Sequence, residues 1–169
     1  SDYDDSWRAV RLPDHRINLY LAELMPELER IDREPLPRDA DYPFILSAGE
    51  RRAETMNTLV RDPSWHRKGV YGALRLSPVD AAALGCSTGD TLRLTTRRGS
   101  AEVVAEVTPA MQPGHVSLPN GQGLEYRSAD GKLVQAGIAP NELTDLAARD
   151  FLAGTPWHKH VPARLEIAG

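Results

Sequence analysis

Two neighbouring arginines form the strongest ligand-binding signal in this sequence. Arg51 and Arg52 follow Gly49 and Glu50 in the segment 47–58. Guanidinium groups pair with phosphate oxygens through two parallel hydrogen bonds, and a glycine lets a ligand approach the backbone closely. This composition is compatible with contacts to an anionic group of the pyrophosphate type. The residues alone favour the alternative, a polar surface loop whose arginines are solvated.

Neutral hydrogen-bonding side chains occur in the same segment and again later in the chain. Ser47, Asn57 and Thr58 belong to the segment, whereas Asn120 and Asn141 lie in two later loops. An amide provides donors and an acceptor, so it suits the polar edge of a heterocycle. The alternative for the asparagines is a local turn, which asparagine favours in loops.

The residues that usually carry catalysis or hold metals are sparse. Cys86 is the single cysteine, so the chain cannot form an internal disulfide, and one thiolate cannot hold an iron–sulfur cluster. His158 and His160 could face one side of a strand, but no third ligand accompanies them, and we predict no metal site. No Ser-His-Asp order, phosphate-binding loop or dinucleotide-fold glycine pattern is present. Residue type alone favours a surface position for Lys159.

Net charge and apolar patterning exclude two classes of partner. The formal net charge is −4, which argues against a general nucleic-acid-binding surface. The longest apolar runs, such as 81–84, are too short to span a bilayer, and the first residues do not resemble a signal peptide. We therefore expect neither nucleic-acid binding nor membrane insertion. The cysteine content fits a reducing cytoplasmic setting.

The chain is predicted to consist of an arm and a β-rich domain. Residues 1–40 form the arm, with a short strand at 17–20, a helix at 26–33 and a proline-rich linker. Residues 41–169 form the domain. Its predicted strands are 42–47, 73–76, 91–96, 101–107, 115–118 and 163–167, and its helix is 78–84, with a long loop at 119–140. Short strands, tight turns and one capped helix predict a small barrel or sandwich.

Five motifs in a fixed order resemble one family. They are LSAGERR (46–52) with MNT (56–58), LSPVDAAALG (76–85) running into TGD (88–90), TRRGS (96–100), MQPGHV (111–116) with NELT (141–144), and GTPWHK (154–159). None of these motifs is specific alone. Their order resembles the C-terminal dinucleotide-binding domain of the molybdopterin oxidoreductases, the family of formate dehydrogenases, nitrate reductases and dimethyl sulfoxide reductase.

The resemblance implies a mainly β fold with short helices, the double-psi β-barrel. Such a barrel closes over the guanine dinucleotide of a molybdenum or tungsten pterin cofactor. The family's iron–sulfur motif and metal ligand lie in earlier domains, which implies that this chain is a fragment without catalytic competence of its own. Its partners would be the other domains or subunits of a parent enzyme that acts on a small substrate such as formate or nitrate.

The resemblance also assigns the cofactor contacts. They are Ser47, Gly49, Glu50, Arg51, Arg52, Asn57, Thr58, Asn120, Asn141 and Lys159. Glu50 stands where the family often has an arginine, so Arg51 is expected to take that role. Cys86 stands where relatives have an ordinary apolar residue, and we interpret it as part of the core.

Two other interpretations stay open. A free-standing double-psi barrel acting as a protein-interaction or docking module would also use the capped helix and Gly-Asp turn. The NELT and GTPWHK segments favour the cofactor-binding interpretation, because a generic barrel does not need them. The chain could equally be a separate small subunit whose metal-binding portion lies on another polypeptide.

Overall fold

The computed structural model describes the chain apart from residues 1, 15, 32, 36, 53–54, 56–61, 66–70, 152 and 169. Two compact units are present, Ser1–Pro35 and Leu36–Gly169. Within the described residues, no helix is both long and apolar enough to cross a bilayer.

The first unit contains two short α-helices, α1 (Tyr3–Ser6) and α2 (Met25–Ile31), and two 3-10 turns. The prediction of a helix at 26–33 is confirmed, with its end two residues earlier. The prediction of a strand at 17–20 is wrong, because these residues have no regular structure. Their apolar side chains suggested a strand, but a strand is stable only where another strand satisfies its backbone groups.

The second unit is a closed barrel, which confirms the predicted fold class. Its strands are β1 (Phe44–Glu50), β2 (Leu74–Leu76), β3 (Thr91–Thr96), β4 (Ser100–Val107), β5 (His115–Pro119) and β8 (Val161–Ile167), in the order β1-β5-β2-β4-β3-β8. The β1/β5 and β2/β4 pairs are parallel, and the other four pairs are antiparallel. A separate hairpin joins β6 (Glu125–Arg127) to β7 (Leu133–Gln135).

The core is built from one face of each barrel strand. Because successive side chains of a strand point to opposite faces, alternate residues are buried, and these include Leu46, Ala48, Leu74, Leu76, Leu92, Leu94, Val116 and Leu118. Cys86 belongs to the same cluster and is 8% exposed. Burial, followed by the charge of Asp90, raises the pKa of the Cys86 thiol. The interpretation of Cys86 as a core residue is confirmed.

Two predicted boundaries are corrected. The first strand, predicted at 42–47, is observed as β1 from Phe44 to Glu50, and the β1/β5 register shifts between Ala48 and Glu50. Gly49 therefore lies in a bulge, with φ of +94°, a conformation that glycine adopts at little cost. The segment 119–140, expected to be a loop, contains the β6–β7 hairpin.

The helix α3 (Pro78–Leu84) begins and ends as its sequence predicts. Ser77 Oγ accepts a hydrogen bond from the Asp80 N–H at 3.0 Å, and Gly85 ends the helix in the left-handed conformation. The Asp80 carboxylate accepts from Ser77 Oγ at 2.7 Å and from the Gly114 N–H at 2.9 Å. Asp80 therefore joins the helix start to the turn before β5.

Replacing Ser77 with alanine should lower the free energy of unfolding by about 1 kcal/mol, because the helix N-terminus loses its side-chain acceptor. Urea unfolding measures this change. Val79→Ala, an exposed position in the same turn, is the control and should change stability by less than about 0.5 kcal/mol. Equal losses in both variants would show that the cap is unimportant.

Candidate functional site

Strand directions place most of the predicted contacts at one end of the barrel. The C-terminal ends of β1, β3 and β5 and the N-terminal ends of β2, β4 and β8 lie together there, as the pairing directions require. We call this the loop end. The opposite end carries α3, which connects β2 to β3. Polar loops gathered at one end of a rigid barrel are a common arrangement for binding sites.

Gly49, Asn120 and His158 come together at the loop end. A side-chain carbon on Gly49 would lie 3.5 Å from His158 Cδ2 and 3.8 Å from Asn120 Cβ. The backbone fixes this arrangement, since the Ala48 N–H donates to the His158 carbonyl at 2.7 Å and the Asn120 N–H donates to the Glu50 carbonyl at 3.0 Å. The glycine therefore keeps a small space open between two polar side chains.

Two buried amide oxygens lie in the loop that follows β5. Asn120 Oδ1 and Gln122 Oε1 make no hydrogen bond within the described part of the chain. A buried acceptor without a partner costs about 1–3 kcal/mol, which a donor from a ligand would recover. Asn120 Cβ lies 3.8 Å from the position of a side-chain carbon on Gly49, so Asn120 combines a buried acceptor without a partner with a place beside the glycine. Gln122 instead packs closely against Gly72 and Gly137.

Glu50 and Arg52 pair with each other and with neighbouring strands. Arg52 Nη2 lies 2.7 Å from Glu50 Oε2, and Ser117 Oγ donates to the same oxygen at 2.8 Å. Partial burial raises the pKa of Glu50, but hydrogen bonds from Arg52 and Ser117, with the charges of Arg52 and Arg75, outweigh it. The net result is a pKa of Glu50 below its ordinary value of 4.5. The carboxylate is therefore ionised at neutral pH.

A lowered pKa in the folded state links Glu50 to acid stability. The stabilisation is present above the ordinary pKa of 4.5 and is lost as the pH falls through the lower folded pKa. Glu50→Gln should therefore lower the free energy of unfolding at neutral pH and flatten its dependence on pH below 4.5. Urea unfolding over a pH series measures both effects. Glu102→Gln, which loses only an exposed pair with Arg93 at 3.6 Å, should keep the wild-type pH dependence.

A cleft of about 230 Å³ lies beside the turn between β3 and β4. Its walls are mainly apolar, with charged and polar groups from the turn and from segments 143–148 and 157–162; they are Arg97, Arg98, Leu143, Thr144, Asp145, Ala147, Ala148, Trp157, His160, Val161 and Pro162. Arg97 also lies 2.7 Å from Asp39 and stacks over Tyr42 at 5.4 Å. The turn between β3 and β4 therefore forms part of the wall of the cleft, and through Arg97 it also contacts the segment before β1.

The other predicted contact residues that the structure describes lie in β1, directly after β1 and in two later loops. Ser47 is half-buried in β1, opposite Ser117, and Arg51 is exposed directly after β1. Asn141 is exposed in the 3-10 turn Pro140–Glu142, and Lys159 is exposed beside His158. Asn57 and Thr58 lie outside the described residues. The exposed position of Arg51, Asn141 and Lys159 leaves all three accessible to a ligand.

The possible metal pair has no support from its surroundings. His158 Nδ1 lies 2.9 Å from the Pro156 carbonyl, where it acts as a donor. Across the described residues, no group of three or more His, Cys, Asp or Glu side chains is arranged to hold a metal ion.

The sequence does not predict the position of His158 beside Gly49, the buried amide of Gln122 or the cleft at Trp157. It suggests His158 only as a metal ligand, although this residue lies in the GTPWHK motif next to Lys159. The packing of Gln122 depends on two distant glycines, and no local pattern reveals it. The loop end of the barrel is thus a polar surface that contains Gly49, Asn120 and His158.

Comparison with known proteins identifies the family. Residues 44–162 match the family described as Molydopterin dinucleotide binding domain. The chain is 36% identical over 94% of its length to dimethyl sulfoxide reductase DmsA of Escherichia coli K12, and 30% identical over 94% to the putative dimethyl sulfoxide reductase chain YnfE of the same organism. The fold matches acetylene hydratase from Pelobacter acetylenicus with a TM-score of 0.57 and 19% identity, covering 93% of this chain and 21% of that one.

The chain belongs to the molybdopterin dinucleotide-binding domain family, as its five motifs predicted. It spans only about a fifth of the length of the curated relatives it matches, 21% of DmsA and 22% of YnfE. It is thus a cofactor-binding domain related to one part of larger molybdoenzymes. The expectation of formate dehydrogenase- or nitrate reductase-like character within the family stays a prediction.

Proposed function

We propose that this chain binds the guanine dinucleotide part of a molybdenum or tungsten pterin cofactor, as the C-terminal domain of a longer oxidoreductase. The observation that carries the proposal is Asn120, whose Oδ1 is buried without a hydrogen-bond partner among the described residues and whose Cβ lies beside Gly49. This oxygen is an acceptor, and guanine presents amino and ring N–H donors on one edge. The amide and the glycine therefore fit a flat polar heterocycle.

Other residues at the loop end would hold the rest of the dinucleotide. Arg51 and Lys159 are exposed cations suited to the pyrophosphate. Asn141, in the NELT motif, is exposed and offers an amide. Ser47, Asn57 and Thr58 remain proposed contacts through hydroxyl and amide groups. When bound, the cofactor would supply two-electron chemistry at its metal, while these residues bind and orient its nucleotide end.

The proposal extends to the parent enzyme. Identity of 36% to DmsA along 94% of the chain supports a reductase of dimethyl sulfoxide or a related small oxide as the parent activity. Any iron–sulfur cluster and the metal ligand would lie in other domains or subunits. The arm of residues 1–40 would pack against those domains, and residues 41–169 would form the cofactor-binding domain. A cytoplasmic setting stays a prediction that rests on the single cysteine.

An NMR titration of the chain with GDP, with ADP as the control, tests the proposal. GDP carries the guanine, ribose and diphosphate of the cofactor's nucleotide end. We expect saturable shifts with GDP, weaker with ADP, at Gly49, Arg51, Asn120, Asn141 and Lys159. Shifts of equal size with both nucleotides, or shifts confined to the helix α3, would contradict a guanine site at the loop end.

A further inference from the structure

An ion-pair network crosses four neighbouring strands of the barrel. It consists of Glu50 at the end of β1, Ser117 in β5, Arg75 in β2 and Glu106 in β4, with Arg52 from the loop after β1. Leu74 and Leu76, on either side of Arg75, are in the core, so Arg75 faces away from it. We call these five residues the clamp.

The contacts of the clamp are short and shared. One oxygen of Glu50 lies 2.6 Å from Arg75 Nη1, and the other accepts from Arg52 Nε at 2.9 Å and from Ser117 Oγ at 2.8 Å. Glu106 Oε2 lies 3.2 Å from Arg75 Nε and 3.5 Å from Arg52 Nη1. Two carboxylates thus balance two guanidinium groups, and each arginine contacts both acids.

Arg52 is the most enclosed charged member of the clamp. Its side chain is 12% exposed, against 32% for Arg75. All three guanidinium nitrogens already face an acceptor, since Nη2 also lies 3.5 Å from the Ser117 carbonyl. A phosphate approaching Arg52 would have to displace a carboxylate and would be repelled by Glu50 and Glu106. Arg51, next in the chain, is exposed.

The clamp also fixes the backbone that borders the space at Gly49. The Glu50 carbonyl accepts from the Asn120 N–H at 3.0 Å, so holding Glu50 holds Asn120. The Arg52 carbonyl accepts from Thr55 Oγ1 at 2.8 Å, and Thr55 is buried. The side-chain pairs of the clamp therefore fix the chain at Glu50 and at Arg52, on either side of Arg51.

We propose that Arg52 is a positioning residue rather than a phosphate ligand, and that the clamp holds the backbone at Glu50 and Arg52 so that Arg51 between them supplies the positive charge to a bound diphosphate. This inference rests on the proposed nucleotide site. It assigns different roles to two adjacent arginines, because Arg52 is neutralised by Glu50 and Glu106 whereas Arg51 faces solvent.

GDP affinity measured by calorimetry at several salt concentrations distinguishes the two roles. Arg51→Gln should weaken GDP binding about tenfold and make it less dependent on salt, because a charge-assisted contact is lost. Arg52→Gln and Glu50→Gln should weaken binding by a similar factor while the salt dependence stays as in the wild type. Glu102→Gln, on β4 outside the clamp, should leave both quantities unchanged.

Hydrogen exchange of the Ala48 and Asn120 amides is the second measurement and needs no ligand. We expect faster exchange at both amides in Arg52→Gln and Glu50→Gln, and wild-type exchange in Arg51→Gln and Glu102→Gln. Arg52→Lys keeps the charge without the planar donor set. It covers the case in which Arg52→Gln does not fold, and it should also speed exchange.

Two results would overturn the inference. A reduced salt dependence in Arg52→Gln with unchanged amide exchange would make Arg52 the phosphate ligand. Unchanged exchange in every clamp variant would remove the positioning role. If the wild-type chain binds no GDP, the nucleotide site and the Arg51 contact fail together, whereas the exchange data still decide whether the clamp orders the loop.

Discussion

Replacing Leu143 with alanine should lower the free energy of unfolding by about 2–5 kcal/mol and weaken nucleotide binding in the same variant. Leu143 is 1% exposed and belongs to the barrel core, although it lies in a loop segment outside the strands. Its carbonyl accepts a buried hydrogen bond from Thr96 Oγ1 at 2.9 Å. Truncation leaves a cavity at the loop end and loosens the 3-10 turn Pro140–Glu142 that carries Asn141.

Urea unfolding and GDP titration of the same samples measure the two effects. Leu146→Ala is the matched control, because this leucine is 75% exposed three residues later. It should change the stability by less than about 0.5 kcal/mol. A loss below about 1 kcal/mol in Leu143→Ala would mean that the segment 140–143 does not close the barrel, and the proposed nucleotide contact of Asn141 would lose its physical basis.

Leu143 illustrates which parts of the fold local patterns predict. The six barrel strands and α3 follow from alternating apolar residues and from the Ser77 cap, which are local signals. Leu143 sits in NELT, with no periodic neighbours, and its burial depends on the β3–β4 turn about forty-seven positions away in sequence. The prediction of a strand at 17–20 is wrong because a local signal was present without a partner strand, and an apolar run does not specify which strand it pairs with.

Sequence alone predicts a set of candidate contact residues, but it does not predict the separate roles that we propose for two of them. Two of the five motifs contain Gly49 and Lys159, and the family resemblance added Asn120. The contacts of the loop end then bring Gly49 and Asn120 together. Arg51 and Arg52 are identical in type and adjacent, so no sequence pattern separates them. Only the pairing of β1, β5, β2 and β4 brings Glu106 and Arg75 to Arg52. The charge environment of a loop residue is set by strands distant in sequence.

Replacing Gly49 with leucine should abolish measurable GDP binding, a loss of at least about a hundredfold, or 2.7 kcal/mol. A side chain there enters the space between His158 Cδ2 and Asn120 Cβ, at 3.5 and 3.8 Å from its first carbon. It would cover the Asn120 amide that we propose for the nucleotide. The positive φ of +94° adds about 1–2 kcal/mol of backbone strain for any L-residue.

The variant Gly89→Leu separates the effect of backbone strain from the effect of filling the space at Gly49. Gly89 has φ of +100°, and nothing lies within 4 Å of the position of its side-chain carbon. Both variants therefore carry the same backbone cost, and urea unfolding should show similar losses of stability. Only Gly49→Leu should lose GDP binding in the titration. If both variants bind GDP like the wild type, the space at Gly49 is not the nucleotide site; if both lose binding, general loosening of the barrel is responsible. Loss of GDP binding in Gly49→Leu alone assigns the effect to the loop end. Both variants share the backbone strain, and only the leucine at position 49 contacts His158 and Asn120.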